Sequence, residues 1–307
     1  MNYNVETITM SDGNKNVFHH WLPDNDIDFI VVLSHGMTEH AFRYDDFGSF
    51  LAQNGIALYA EDHRGHGKTA ELAVKEGTGM FGYLADENGF FRVVDDIKEE
   101  VELVKSRHPG KKVVLFGHSF GSFIAQCYIE KYGNSVDASV LCGTAGPRPV
   151  VHVGKLIVSI AKRFIDKKNT SRLLEKFVFG SSYKGNWLTR DEALANKAAS
   201  DPWCTFHCTV GFYADMISGL LFIHSKKNLK NIPVSLPVFL IAGDADPVGT
   251  YGKTVTKLFK IYQSNGMESI ALRLYSGARH ELLNEINREE VKNDVLSWMK
   301  EAFSCKS

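Results

Sequence analysis

The chemistry in this chain starts at Gly117-His118-Ser119-Phe120-Gly121. The apolar run Val113 to Phe116 leads into it. Ser122 to Tyr132 then carries Phe123, Ile124, Cys127 and Tyr128 at helical spacing, so the stretch reads as strand, sharp turn and helix. In that setting Gly-x-Ser-x-Gly is a nucleophile elbow: two glycines let the backbone crowd at a turn that lifts the serine hydroxyl clear of the sheet. The plain alternative is a serine in a tight loop, and partners elsewhere in the chain separate the two.

A serine hydroxyl is a weak nucleophile at neutral pH and needs a base, with a carboxylate to hold that base in the right tautomer. Two later loops offer them. Gly243-Asp244-Ala245-Asp246-Pro247-Val248 follows an apolar strand ending at Ala242, and Ser276-Gly277-Ala278-Arg279-His280-Glu281 follows a strand ending at Tyr275. In a parallel sheet both loops open on the edge where the elbow sits, which is the edge where such sheets bind ligands. Of twelve histidines, only His280 follows the last strand in the order serine, aspartate, histidine. Asp244 and Asp246 are both candidate acids, since either could also be an ordinary turn aspartate.

Attack on an ester carbonyl places negative charge on oxygen, so two amide donors must wait where it develops. One is the N–H of Phe120, the residue after the nucleophile. The other falls to the loop after the third strand, Ser34-His35-Gly36-Met37, through the N–H of Met37. His35 reads as a structural loop residue. The histidine-rich Asp62-His63-Arg64-Gly65-His66-Gly67 lacks the His-Glu-x-x-His pattern of a metal helix and reads as loop architecture, with Asp62 holding backbone amides. Neither a metal nor a cofactor is expected.

These loops need a sheet to carry them. Val5–Met10 and Asn16–Leu22 alternate in polarity across Ser-Asp-Gly-Asn-Lys, as an edge hairpin does. Phe29–Leu33, Ile56–Ala60, Lys111–Phe116, Ala138–Cys142, Pro237–Ala242 and Ile270–Tyr275 are strands, interleaved with helices over Tyr44–Asn54, Asp86–Arg107 and Arg288–Phe303. That alternation predicts an α/β fold with a mostly parallel, doubly wound sheet. It breaks at Gly146-Pro147-Arg148-Pro149 for roughly 90 residues, far beyond the ~2–6 of an ordinary connecting loop. We therefore divide the chain into a first core segment (1–146), a helical lid inserted after the sixth strand (147–232) and a second core segment (233–307).

Within the lid, Thr189 and Glu192 form a capping box for a helix over Thr189–Lys197. A helix over Thr209–His224 presents Phe212, Met216 and Leu220, read here as substrate-binding residues because an apolar mouth over a polar site suits an acyl chain. Leu156, Ile160 and Phe164, beside Lys162-Arg163 and Lys167-Lys168, suggest transient contact with a membrane surface.

Composition narrows the partners. The 307 residues are 44% hydrophobic and 23% charged with a net charge of −1, which suits a globular protein and leaves no electrostatic footprint for nucleic acid. Cys127, Cys142, Cys204, Cys208 and Cys305 lack ligand-like pairing and read as free thiols of a reducing compartment. With no leader-like start and no long apolar run, a cytoplasmic location is expected.

Together the motifs resemble the monoacylglycerol lipase and lysophospholipase branch of the serine α/β-hydrolases. They are Ser34-His35-Gly36-Met37-Thr38-Glu39-His40 followed by Arg43-Tyr44, Asp62 to Gly67, the elbow, Ser200-Asp201-Pro202, Asp244-Ala245-Asp246, and Gly277 to Glu281. The resemblance implies an α/β-hydrolase fold, Ser119 as nucleophile, Asp246 as the acid, His280 as base, and Met37 and Phe120 as oxyanion donors. It further implies a carboxylic ester hydrolase acting on monoacylglycerols, lysophospholipids or similar single-chain esters through an acyl-enzyme. A thioesterase or aminopeptidase-type hydrolase on the same scaffold, and a non-catalytic binding protein, are the alternatives. The elbow departs from the branch's usual Ser-Met-Gly-Gly: here it is Ser-Phe-Gly-Ser, which places a bulkier ring beside the acyl pocket.

Overall fold

The computed structural model describes residues 1–180 and 186–304; Cys305 lies outside them. Eight strands form one sheet: β1 (Asn2–Thr9), β2 (Lys15–Leu22), β3 (Phe29–Ser34), β4 (Ala57–Asp62), β5 (Lys112–His118), β6 (Ala138–Cys142), β7 (Val238–Gly243) and β8 (Ile270–Tyr275). Their order is β1-β2-β4-β3-β5-β6-β7-β8. The β1–β2 and β2–β4 pairings are antiparallel and the rest parallel, so the expected mostly parallel α/β sheet is borne out. The hairpin runs from Asn2 opposite Leu22 to Thr9 opposite Lys15, with β1 at the sheet edge.

β3 to β7 are buried throughout except Lys112 at the start of β5, because helices cover both faces of the sheet. One apolar layer packs α3 (Gly89–Arg107) and α4 (Phe120–Tyr132) on the sheet; the other packs α1 (Asp45–Gln53) and α11 (Arg288–Ser304) on its opposite face. A helix that periodicity did not signal, α2 (Gly67–Glu76), follows the histidine-rich loop; it opens on a glycine and buries only Gly67, Thr69 and Ala70. α3 starts at Gly89 rather than Asp86, because Asn88 takes a left-handed conformation and Asp86 accepts a hydrogen bond from the Tyr83 hydroxyl instead.

Between β6 and β7 the chain forms α5 (Val150–Phe164), α6 (Arg172–Phe179), α7 (Glu192–Ser200), α8 (Val210–Ile223) and the short α9 (Lys226–Leu229). The expected Thr189–Glu192 capping box is replaced: α7 begins at Glu192 and its cap is Asp191, which accepts from the Ala193 and Leu194 amides. Thr189 turns away to donate to the Asn284 carbonyl. α8 is capped by Thr209 and packs against α3, α4 and α5, so it also serves as the crossover helix that parallel strands β6 and β7 require. Its approach to α3 is close: a Cβ on Gly219 would lie 2.5 Å from the Phe90 ring. The last helix before β8, α10 (Lys253–Ser264), completes the body. No helix among the described residues is long and apolar enough to cross a membrane.

Candidate active site

Ser119 sits between β5 and α4 with φ +53° and ψ −117°, a strained conformation for a residue with a side chain. Its neighbours explain the glycines. A Cβ on Gly121 would lie 2.0 Å from the Ser34 carbonyl oxygen, and one on Gly117 would lie 2.4 Å from the Gly121 carbonyl oxygen, so neither position accepts a side chain. The half-buried Ser119 hydroxyl therefore faces outward at the carboxyl end of the sheet.

The Ser119 hydroxyl lies 2.8 Å from His280 Nε2, and His280 Nδ1 lies 2.9 Å from Asp246 Oδ2. Asp246 is fully buried and its other oxygen accepts from the Val248 amide, which fixes the carboxylate plane. Asp244 instead accepts from the Gly277 amide at 2.6 Å and ties its loop to the one that carries His280. Burial opposes charging of the His280 imidazole, but the Asp246 charge and hydrogen bond, with Glu281 and Glu39 nearby, outweigh it and raise the pKa above the ordinary histidine value. His118, 4.9 Å away between ring centroids, is driven down to about 3 by burial and by His280, so it stays neutral beside the site.

Phe120 begins α4, where the first amides of a helix have no intrahelical acceptor. On the facing loop, Gly36 lies close enough that a Cβ there would be 3.1 Å from Ser119 Cβ, and Thr38 is held at φ +52°. Met37 lies between them. His35 is buried and joins two loops: its Nε2 accepts from the His63 amide at 3.0 Å and its Nδ1 lies 2.8 Å from the Gly36 carbonyl oxygen. Asp62 accepts from the Ala41 and Lys68 amides.

A cavity of about 890 Å³ opens over Ser119, within the range of small-molecule sites. Met37, Phe120, Met216 and Leu220 line it; Phe212 does not. The Phe212 ring lies one layer behind, 5.0 Å from the Phe120 ring and 5.9 Å from that of His66. Phe120 is itself 1% exposed, wedged against Phe90 and Phe212.

Three residues without an assigned role in the sequence reading hold this site together. Glu39 accepts from the Gly36 amide and from the Tyr44 hydroxyl, and Arg43 joins Glu39 at 2.8 Å to Glu281 at 2.7 Å. The loop bearing Met37 is thereby tied to the residue after His280. The signal was present as an acid and a base four residues apart. The insertion adds a second tie: the Leu188 carbonyl accepts from the Glu281 amide, and Trp187 lies 5.1 Å from the His280 ring.

Residues 25–287 match the family described as serine aminopeptidase, S33. The chain is 28% identical over 295 residues to a monoacylglycerol lipase of Mycolicibacterium smegmatis, covering 94% of this chain and 93% of that one. It is 25% identical over 312 residues to the mouse monoglyceride lipase, covering 96% and 90%. In structure it is similar to a thermostable carboxyl esterase from Bacillus coagulans, solved in complex with glycerol. The TM-score is 0.89 at 25% identity, covering 98% of this chain and 99% of that one.

Proposed function

We infer the reaction from one premise: the chain belongs to the serine aminopeptidase S33 family of α/β-hydrolases, in its monoacylglycerol lipase-like branch. The protein is read as a serine hydrolase that cleaves monoacylglycerols, lysophospholipids or similar single-chain acyl esters. One observation carries this reading: the Ser119 hydroxyl, His280 and Asp246 are in hydrogen-bonded sequence beneath a cavity whose wall includes Phe120, Phe123, Met216, Ile217 and Leu220.

In this mechanism the Ser119 hydroxyl donates to His280 Nε2 and its oxygen attacks the ester carbonyl as His280 takes the proton. The Met37 and Phe120 N–H groups receive the developing oxyanion. His280 then protonates the departing alcohol. Water, activated by the same imidazole, releases the fatty acid from Ser119. Met216 and Leu220 contact the acyl chain, while Phe212 shapes the pocket through Phe120. Residues 147–232 act as the lid, and the exposed apolar row on α5 supports contact with a membrane surface. The free thiols Cys127, Cys142, Cys204 and Cys208 support a cytoplasmic setting.

A fluorophosphonate probe labels the parent protein and fails to label Ser119→Ala; a folded parent that takes no label removes the hydrolase reading. A chain-length series of monoacylglycerols then measures pocket depth. One feature favours a second reading as an aminopeptidase-type hydrolase: Glu192 reaches the cavity wall from α7, where a carboxylate could hold a free amine. Turnover of aminoacyl anilides in preference to esters would select that reading.

A further inference from the structure

Beside the cavity, which Cys204 lines, three side chains of metal-ligand type to which the mechanism gives no role converge from two segments. His40 follows the Met37 loop, while Asp201 and Cys204 follow α7 in the insertion. His40 Nε2 is 2.9 Å from Asp201 Oδ2, and a ring nitrogen of His40, a carboxylate oxygen of Asp201 and Cys204 Sγ all lie within 4.8 Å of one another. We propose that His40, Asp201 and Cys204 bind a thiophilic divalent cation, zinc or cadmium, that clamps the insertion to the Met37 loop and inhibits turnover.

Ligand chemistry suits that class. Imidazole, thiolate and carboxylate together favour zinc over magnesium or calcium, which prefer all-oxygen sites. Around Zn²⁺ with bonds of ~2.0–2.3 Å, tetrahedral ligand atoms sit roughly 3.3–3.8 Å apart, so rotations of about an ångström close the site. The frame is prepared for this. Asp201 Oδ1 is fixed by the Trp203 amide at 2.8 Å, leaving Oδ2 to the site, and the Trp203 ring packs edge-on against His40 at 5.1 Å.

His40 is 3% exposed and its Nδ1 has no hydrogen-bond partner among the described residues. The Asp201 contact holds the proton on Nε2, and because Nδ1 is unpartnered among the described residues a bound metal can displace that proton to Nδ1 and take the Nε2 lone pair. Glu39, Glu281 and Asp201 bring negative charge near Cys204 and Arg43 positive charge, while burial holds the thiol protonated until a metal displaces the proton. On binding, the Cys204 thiol gives its proton to solvent as the metal–sulfur bond forms.

Position supplies the consequence. Cys204 lines the cavity with Ser119, and His40 directly follows Glu39, which holds the Gly36 amide. A metal joining them restrains both walls of the entrance.

The test uses the full chain, cleared of metal with a chelator and titrated with cadmium and then zinc chloride. The parent should bind one equivalent of cadmium with an ultraviolet thiolate-to-cadmium band that zinc displaces. Cys204→Ser should lose the band, and Asp201→Asn should weaken cadmium binding by about tenfold or more. Cys208→Ser, a buried thiol elsewhere, should behave like the parent. Zinc should inhibit ester turnover, and Cys204→Ser, normalised to its own metal-free rate, should need a zinc concentration about tenfold higher or more. A band that survives in Cys204→Ser, cadmium binding indifferent to Asp201→Asn, or equal zinc inhibition of parent and Cys204→Ser overturns the proposal. Only the inhibition arm rests on the hydrolase reading; if no ester is turned over, the cadmium band still tests the site.

Discussion

Asp246 acts on His280 in two ways: its hydrogen bond holds the ring with Nε2 toward Ser119, and its charge raises the imidazole pKa. Because only neutral His280 can accept the serine proton, kcat/KM should rise with pH through a limb above ~6.5, the ordinary histidine value. Asp246→Asn should lower kcat by roughly 10⁴ and move the residual limb to lower pH, read from a pH–rate profile. An unshifted limb would show that another group titrates. The positions of Ser119 and His280 were legible in the chain because each follows a strand whose carboxyl end fixes where its loop opens. The choice between Asp244 and Asp246 was not legible from the loop alone, since both sit in one turn and only the fold shows which carboxylate faces the ring. Phe212 was misplaced for a related reason. α8 is apolar on almost every side, so a spacing of four residues could not tell the face that lines the cavity from the face that packs on Phe120.

Among the elements, α5 carries an unusual surface. Val153, Leu156, Ile160 and Phe164 are exposed, Phe164 at 84%, and Lys155, Lys162 and Arg163 flank them. A row like this gains ~1.5–3 kcal/mol for each large side chain that leaves water, so Phe164→Glu should weaken binding to anionic vesicles roughly tenfold or more. Turnover of a short soluble ester should stay the same, because Phe164 does not reach the cavity. Equal vesicle binding by parent and variant would remove α5 from the membrane contact. By contrast, the middle of the insertion, near Thr189, is pinned to the body: Arg190 pairs with Glu285 at 2.8 Å and Arg279 donates to the Thr189 carbonyl at 2.9 Å. Strands were readable from their apolar runs and helix bodies from periodicity. Helix starts were harder. Thr189 and Asp191 are both competent caps two residues apart, and the long-range bond from Thr189 to Asn284, which settles the choice, leaves no local trace in the sequence.

Considered whole, the molecule holds an acid it does not ionise easily. Glu100 on α3 is fully buried, and burial beside Glu61 raises its pKa well above the usual carboxylate value. The unfolded chain releases this proton near pH ~4.3, whereas the folded chain retains it to higher pH. In that window the native state binds more protons, so stability falls as pH rises. Glu100→Gln should therefore melt progressively higher than the parent as pH increases above about 4.5, measured by thermal denaturation across pH; a constant difference would show that Glu100 does not titrate in this range.

α8 supplies Met216 and Leu220 to the cavity and is at the same time the crossover helix packed on α3 and α4. A compound in the cavity therefore rests on a helix that is packed into the body of the fold. A compound present at about 100 times its dissociation constant adds ~2.7 kcal/mol to the native state. Screening a lipid library by the upward displacement of the melting curve of Ser119→Ala, which lacks the serine hydroxyl, should then rank the compounds that bind the cavity.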